Sequence, residues 1–251
     1  MNALPPESRV RQGCLIGIGL GPGDPELVTV KAARMIGEAK VIAYFAKEGR
    51  TSNARRIAEP WIKPGTVELP LCYPVTTEIP FDDPAYGHAL RPFYDTGADR
   101  IAIHLAEGRD VALICEGDPL FYGSFMHIHA RLKDRFPVSV SPGITGMAGC
   151  WAAAQTPMSW GDDVLTVLPG TLPEAELARR LAGTDAAVVM KLGHNLPKVR
   201  AALAAAGLAD RAIYVERGTM AEQHILPLAD KLDDDAPYFA LILVPGRGRR
   251  P

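Results

Sequence analysis

Two short turns carry the residue types from which a ligand site could be built. Gly117-Asp118-Pro119 follows the apolar run Val111–Cys115, and open α/β sheets bind ligands at the carboxyl ends of their strands. An aspartate there can accept hydrogen bonds from an amino or ribose group while the proline stiffens the turn. An Asx-type turn alone would use the same two residues. Pro142-Gly143-Ile144-Thr145 ends the next strand and opens a helix. Its hydroxyl and first free N–H groups can either cap that helix or hold a ligand.

A glycine-rich loop, Gly17-Ile18-Gly19-Leu20-Gly21-Pro22-Gly23-Asp24, follows the first apolar run. A dinucleotide fingerprint would need a third glycine where Pro22 or Asp24 stands, and a helix starting inside the loop. It would also need an acidic residue near the end of the second strand, where Tyr44-Phe45-Ala46-Lys47 offers none. The loop is therefore not of Rossmann type. A tight connection is the plain alternative, but alternating glycines suit a backbone that approaches a ligand closely.

The elements that must position these turns read as an α/β chain, with short apolar runs alternating with helical patterns. Strands are expected at 14–18, 41–45, 67–69, 111–115, 138–140, 164–168, 186–190, 212–215, around Ile225 and at 239–244. Helices are expected at 29–38, 52–57, 86–106 (interrupted near Pro92 and Gly97), 121–134, 145–154, 173–181 and 196–205. Pro74–Pro84 reads as a proline-rich loop and Arg247–Arg250 as a basic, frayed tail. The late strands lack intervening helices, which predicts antiparallel pairing. Two α/β domains are expected, 1–138 and 139–251.

Composition narrows the function. The chain has 251 residues, 47% hydrophobic and 22% charged, with a formal net charge of −2. That balance gives no whole-molecule attraction to nucleic acid or an anionic membrane. Cys14, Cys72, Cys115 and Cys150 form no C-x-x-C pair and lie in or beside apolar stretches, so four buried reduced thiols and a cytoplasmic location are expected. The opening Met1–Glu7 lacks a signal-peptide pattern, and no apolar run reaches membrane-span length. His127 and His129 fall about 200° apart on a helix, too far to share a metal, and the other four histidines are isolated; no metal site is expected.

Taken in order, Gly19-Leu20-Gly21-Pro22-Gly23-Asp24, Gly117-Asp118-Pro119-Leu120-Phe121-Tyr122-Gly123-Ser124, Pro142-Gly143-Ile144-Thr145 and Glu216-Arg217-Gly218-Thr219 resemble the tetrapyrrole methylase family over nearly the whole chain. The resemblance implies a two-domain α/β fold, that of the class III methyltransferases, with S-adenosylmethionine bound in the cleft between the domains. It also implies a homodimer. Ala43–Ala54, Gly149-Cys150-Trp151-Ala152, Met190-Lys191-Leu192-Gly193 and Pro237-Tyr238-Phe239 are similar to the precorrin-2 C20-methyltransferase subgroup. Its members methylate the C20 bridge carbon of precorrin-2, giving precorrin-3A, or of the cobalt-containing counterpart, during cobalamin synthesis.

By the same resemblance, Pro22, Glu116, Gly117, Asp118 and Phe121 line the cofactor pocket, followed by Thr145 and Gly146. Met190 or Lys191 falls at a later apolar contact, and Gly218 and Ala240 match two backbone contacts. The products would be a methylated tetrapyrrole and S-adenosylhomocysteine, with no metal required. Methyl transfer to carbon needs alignment and a group to take the proton afterwards; Tyr122 and Glu116 flank the central turn and are candidates, with support of the turn as their other role. Lys47, Arg50, Arg55 and Arg91 could pair with the substrate's carboxylates, or serve as ordinary surface charge. Competing readings are methylation of another tetrapyrrole carbon, of protein or of RNA. A non-catalytic tetrapyrrole carrier and a nicotinamide oxidoreductase complete the set, the last disfavoured by the glycine loop and the RNA substrate by the charge balance.

Overall fold

The computed structural model describes residues 11–75 and 83–248. The opening Met1–Glu7 stretch, most of the Pro74–Pro84 segment and the end of the basic tail lie outside them. The chain divides into two compact units. One runs to Gly21 and resumes over Pro25–Ile144; the other takes Pro22–Asp24 and the chain from Thr145 onward. No helix among the described residues is long and apolar enough to cross a membrane.

The first unit is a parallel sheet covered on both faces. Its strands are β1 (Leu15–Gly19), β2 (Val41–Lys47), β3 (Val67–Tyr73), β4 (Val111–Cys115) and β5 (Val138–Ser141), and its helices α1 (Val30–Glu38), α2 (Asn53–Ala58), α3 (Pro84–Ala106) and α4 (Phe125–Leu132). Strand order is β3-β2-β4-β1-β5 and every pairing is parallel. Because β5 pairs with β1 as the fifth strand of this sheet, the units part after Ile144.

Burial on both faces explains why β4 is apolar at every position. Ala112 and Ile114 pack with Ala32 and Ile36 of α1 and Ala54 and Ile57 of α2. Val111, Leu113 and Cys115 pack with Ile101 and Leu105 of α3 and Phe125 and Ile128 of α4. Thr29 caps α1 by accepting the Ala32 N–H at 3.1 Å, and Ser52 caps α2 by accepting that of Arg55 at 3.3 Å.

The interruption expected in the long helix is absent: α3 runs unbroken through Pro92 and Gly97. Pro92 removes one backbone donor from an exposed position. The buried stripe of Leu90, Tyr94, Ala98, Ile101 and Leu105 holds the helix against the sheet regardless. β3 continues through Pro70 because it is an edge strand, where a missing N–H is tolerated. That edge also explains the exposure of Cys72. All four are free, but only Cys115 and Cys150 are buried; Cys14 is half-buried and Cys72, on β3, is exposed.

The second unit is a mixed sheet. It holds α5 (Gly146–Ala153), β6 (Leu165–Pro169), α6 (Glu174–Leu181), β7 (Ala186–Met190), α7 (Leu196–Ala205), β8 (Ile213–Glu216), β9 (His224–Pro227) and β10 (Ala240–Val244). The order is β6-β7-β10-β8-β9. Only β6 and β7 are parallel; β10 lies antiparallel to β7 and β8, and β9 antiparallel to β8, as the late strands predict. α6 and α7 cover one face through Leu177, Leu181, Val199 and Leu203. α5 covers the other, where Cys150 meets Val188, Val215, Leu241 and Leu243.

Candidate active site

In the first unit the chain leaves β1 toward β2 and leaves β4 toward β5, on the opposite side of the sheet. β1 and β4 are neighbours, so their carboxyl ends form the point where connections diverge, and such points open a crevice for ligands. The glycine loop and the Gly-Asp-Pro turn both stand there. They are bonded to each other: Gly117 N–H donates to the Gly21 carbonyl at 2.7 Å, Gly21 N–H to the Gly117 carbonyl at 3.3 Å, and Leu20 N–H to the Cys115 carbonyl at 2.9 Å.

Glycine is required here by contact with backbone. A Cβ on Gly143 would lie 2.1 Å from the Gly117 oxygen, and one on Gly19 would lie 2.5 Å from the Gly143 nitrogen. Three chain segments thus touch at atoms that cannot rotate away. Gly117 itself has φ +64°, the left-handed region.

Asp118 organises this crossing. Its Oδ1 accepts the Leu120 N–H at 2.9 Å and its Oδ2 accepts the Gly143 N–H at 3.1 Å. The first contact is the Asx turn; the second reaches 25 residues along the chain and joins the two turns singled out in the sequence. Each carboxylate oxygen has a further lone pair for a ligand.

The helix expected from Phe121 begins only at Phe125, because Tyr122 sits at φ +54°, which a right-handed helix excludes. Phe121 and Tyr122 pack edge to face with ring centroids 4.8 Å apart, and Tyr122 is 44% exposed. Ser124 secures the end of this loop by accepting hydrogen bonds from the Tyr73 hydroxyl at 2.5 Å and the Tyr94 hydroxyl at 3.1 Å. Sequence reading missed this clip, whose tyrosines lie 51 and 30 residues away. Glu116 Oε1 accepts the Ala54 N–H at 3.2 Å, tying β4 to the first turn of α2. Burial pushes its carboxyl above the usual range, opposed by that hydrogen bond.

The four candidate cations stand in different settings. Lys47 ends β2 and its carbonyl accepts the Arg50 N–H at 3.0 Å, so the two share a turn. Arg91 is exposed on α3. Arg55 is committed elsewhere: its Nε donates to Glu68 Oε2 at 2.8 Å and its Nη2 to Oε1 at 3.2 Å. That fork holds the Glu68 carboxyl below its ordinary range, against the effect of burial. A depressed carboxyl adds stability above its unfolded value and loses it as pH falls through the folded one. Glu68→Gln should therefore cost about 1 kcal/mol or less at neutral pH, the pair being partly exposed. Urea midpoints should show that difference closing as pH drops below about 4.

The second unit carries the remaining candidates. Thr145 Oγ1 accepts the Ala148 N–H at 3.4 Å, so the threonine caps α5. Gly146 opens α5, and a Cβ there would meet nothing within 4 Å. Met190 and Lys191 are now separable. Met190 ends β7, half-buried in the cluster under α5, whereas Lys191 is exposed at φ +57°. Ala240 starts β10 opposite Glu216, with its side chain in the core. Gly218 lies between two residues in the left-handed region, Arg217 at φ +49° and Thr219 at φ +70°. Non-glycine residues are held there only when their surroundings over-determine them.

A separate cavity of about 180 Å³ in this unit is lined by Asp163, Asp185, Arg211 and Arg247. It lies at the amino ends of β6 and β7, opposite the end that carries Met190 and Lys191. On α4, His127 stacks on Tyr94 at 4.2 Å while His129 lies 5.8 Å from the Phe125 ring. Among the described residues no group of three or more His, Cys, Asp or Glu could hold a metal.

Comparison with known proteins places this geometry. The sequence profile of the tetrapyrrole (corrin/porphyrin) methylases matches residues 14–232. A precorrin-2 C(20)-methyltransferase from Sinorhizobium is 61% identical over 97% of this chain and 100% of its own. A cobalt-precorrin-2 C(20)-methyltransferase from Salmonella typhimurium is 28% identical over 92% and 96% of the two chains. Among solved structures, cobalt precorrin-4 methyltransferase (CbiF) superposes with a TM-score of 0.72 at 22% identity, covering 100% of both chains. Uroporphyrin-III C-methyltransferase from Thermus thermophilus, complexed with S-adenosylhomocysteine, gives 0.64 at 22% identity over 93% and 92%. At that identity the structures speak for the fold, that of the class III methyltransferases, while the profile spans most of the sequence. The chain belongs to the tetrapyrrole (corrin/porphyrin) methylases.

Proposed function

We propose that this chain transfers a methyl group from S-adenosylmethionine to C20 of precorrin-2, giving precorrin-3A in cobalamin synthesis. The observation that carries the reading is the crossing of Gly19, Gly117 and Gly143 at the diverging strand ends, braced by Asp118, in a chain 61% identical to an enzyme of that name. The metal-free substrate is favoured over the cobalt-loaded one because the relative named for cobalt-precorrin-2 is only 28% identical.

The residues fit a cofactor rich in polar groups. The hydroxyls of Ser141 and Thr219 are buried without a hydrogen-bond partner, and each borders a candidate segment. A buried unpaired hydroxyl costs free energy that a ligand can recover. In the first unit Glu116, Gly117, Asp118 and Phe121 are proposed contacts. In the second they are Pro22, Thr145, Gly146, Met190, Gly218 and Ala240, with Lys191 less suited to an apolar contact because it is exposed. When bound, the cofactor supplies an electrophilic methyl group. The protein's task is then to hold the acceptor carbon in line and exclude competing nucleophiles.

Burial keeps the nearby thiols from competing, since it raises Cys115 far above its ordinary value and Cys150 to about 11. Glu116 and Tyr122 are the candidates for taking up the proton; Glu116 holds the start of α2 with one oxygen and has further lone pairs on its carboxyl group. Lys47, Arg50 and Arg91 are proposed partners for substrate carboxylates; Arg55 is a weaker candidate because Glu68 holds two of its N–H groups. We further propose a cytoplasmic homodimer. The family resemblance supports the dimer and four free thiols suit a reducing compartment; light scattering on the purified protein tests the dimer.

The activity is tested by incubation with methyl-labelled S-adenosylmethionine and either precorrin-2 or its cobalt complex. One labelled methyl at C20 of the metal-free substrate is expected. Label at another carbon, or in neither substrate, would sink the reading, and faster turnover of the cobalt complex would reverse the metal assignment.

A further inference from the structure

Within the second unit, α5 presents Gly149 and Cys150 to two backbone segments at once. A Cβ on Gly149 would lie 2.3 Å from Pro22 Cβ and 2.5 Å from Pro22 Cγ, so the pyrrolidine ring rests directly on the bare helix backbone. The same hypothetical atom would lie 3.2 Å from Thr219 Cγ2. One residue on, a Cβ on Gly218 would lie 2.7 Å from the Cys150 sulfur and 3.1 Å from its Cα. Gly23, next to Pro22, is in turn pressed against Met220, whose Cγ would lie 2.6 Å from a Cβ there. The Met220 side chain and the Cys150 sulfur can rotate, but the Pro22 ring and the Cys150 Cα yield only if backbone moves.

We propose that the Gly149-Cys150 pair is a positioning element that sets the placement of Pro22 and Gly218. Neither residue of the pair need touch a ligand. The glycine sets how near Pro22 stands to α5, and the cysteine sets how near Gly218 stands to it. This gives Gly149-Cys150, which the sequence singles out without a role, a physical one. The consequence for cofactor binding rests on the reading of Pro22 and Gly218 as cofactor contacts.

The test uses the full chain carrying Gly149→Ala, Pro22→Gly, both together, and Cys150→Ala, which adds no atom and so guards against a misfolded first variant. S-adenosylhomocysteine affinity is measured by calorimetry, and the Gly23 and Gly218 amides are followed by NMR. Gly149→Ala should weaken binding at least about tenfold and shift the Gly23 amide. In the Pro22→Gly background, where the opposing ring is gone, the same substitution should do neither. Cys150→Ala should weaken binding several-fold and shift the Gly218 amide signal. Equal losses from Gly149→Ala in both backgrounds, or unchanged Gly23 and Gly218 amides in the single variants, would overturn the proposal. If the parent chain itself failed to bind S-adenosylhomocysteine, the functional reading would fall, and the amide signals alone would decide the positioning role.

Discussion

Gly143→Ala is expected to lose at least about 3 kcal/mol of folding stability and all measurable cofactor binding. The added Cβ would meet the Gly117 oxygen at 2.1 Å and the Gly19 Cα at 2.9 Å, both backbone atoms in bonded segments. Side chains elsewhere can rotate to admit a methyl; here β1, β4 and β5 would have to shift relative to one another. Gly146→Ala is the control, because its Cβ would enter open space three residues on. Urea unfolding should show a lower midpoint with an unchanged slope for Gly143→Ala and a near-normal midpoint for Gly146→Ala.

Asp118→Ala should act more on binding than on stability. It removes the acceptor of the Gly143 N–H, a part-buried bond, and of the Leu120 N–H, which water can replace because Leu120 is exposed. The stability cost is about 1–2 kcal/mol. The loss of S-adenosylhomocysteine affinity is expected to be at least about tenfold, because the carboxylate both holds the Pro142–Thr145 turn in place and offers lone pairs of its own. Asp118→Asn should recover part of the stability by keeping one carbonyl acceptor, and little of the affinity. Calorimetry on the three proteins checks this; parental affinity in Asp118→Ala would remove the turn from the site.

Much of the scaffold is legible in local patterns. β7 and α7 have the bounds that periodicity predicts, because each is a regular apolar pattern with clear ends. Thr29 and Ser52 cap the helices they precede. The departures come where distant contacts override local preference. α3 starts two residues early, at Pro84 behind the Asp83 cap, a start signal that was available in the sequence. It then survives Pro92 because its buried face outweighs one lost hydrogen bond. α4 starts late because the Asp118–Ser124 loop is fixed by Gly143, Tyr73 and Tyr94.

The candidate site shows the same division. Gly117, Asp118 and the Pro142–Thr145 turn stand out by residue type alone. What they do to each other does not, since the contact of Gly19 with Gly117 and Gly143 spans most of the first unit. Arg55 illustrates the converse: nothing local to it reveals that Glu68, thirteen residues on, claims its guanidinium.

The most direct test of the site is residue-resolved NMR of the labelled protein during titration with S-adenosylhomocysteine. The largest amide shifts are expected at Gly117, Phe121 and Gly143, saturating together. Shifts confined to the cavity lined by Asp163, Asp185 and Arg211, with the Gly117 and Gly143 amides unmoved, would contradict the placement of the cofactor at the β1–β4 strand ends.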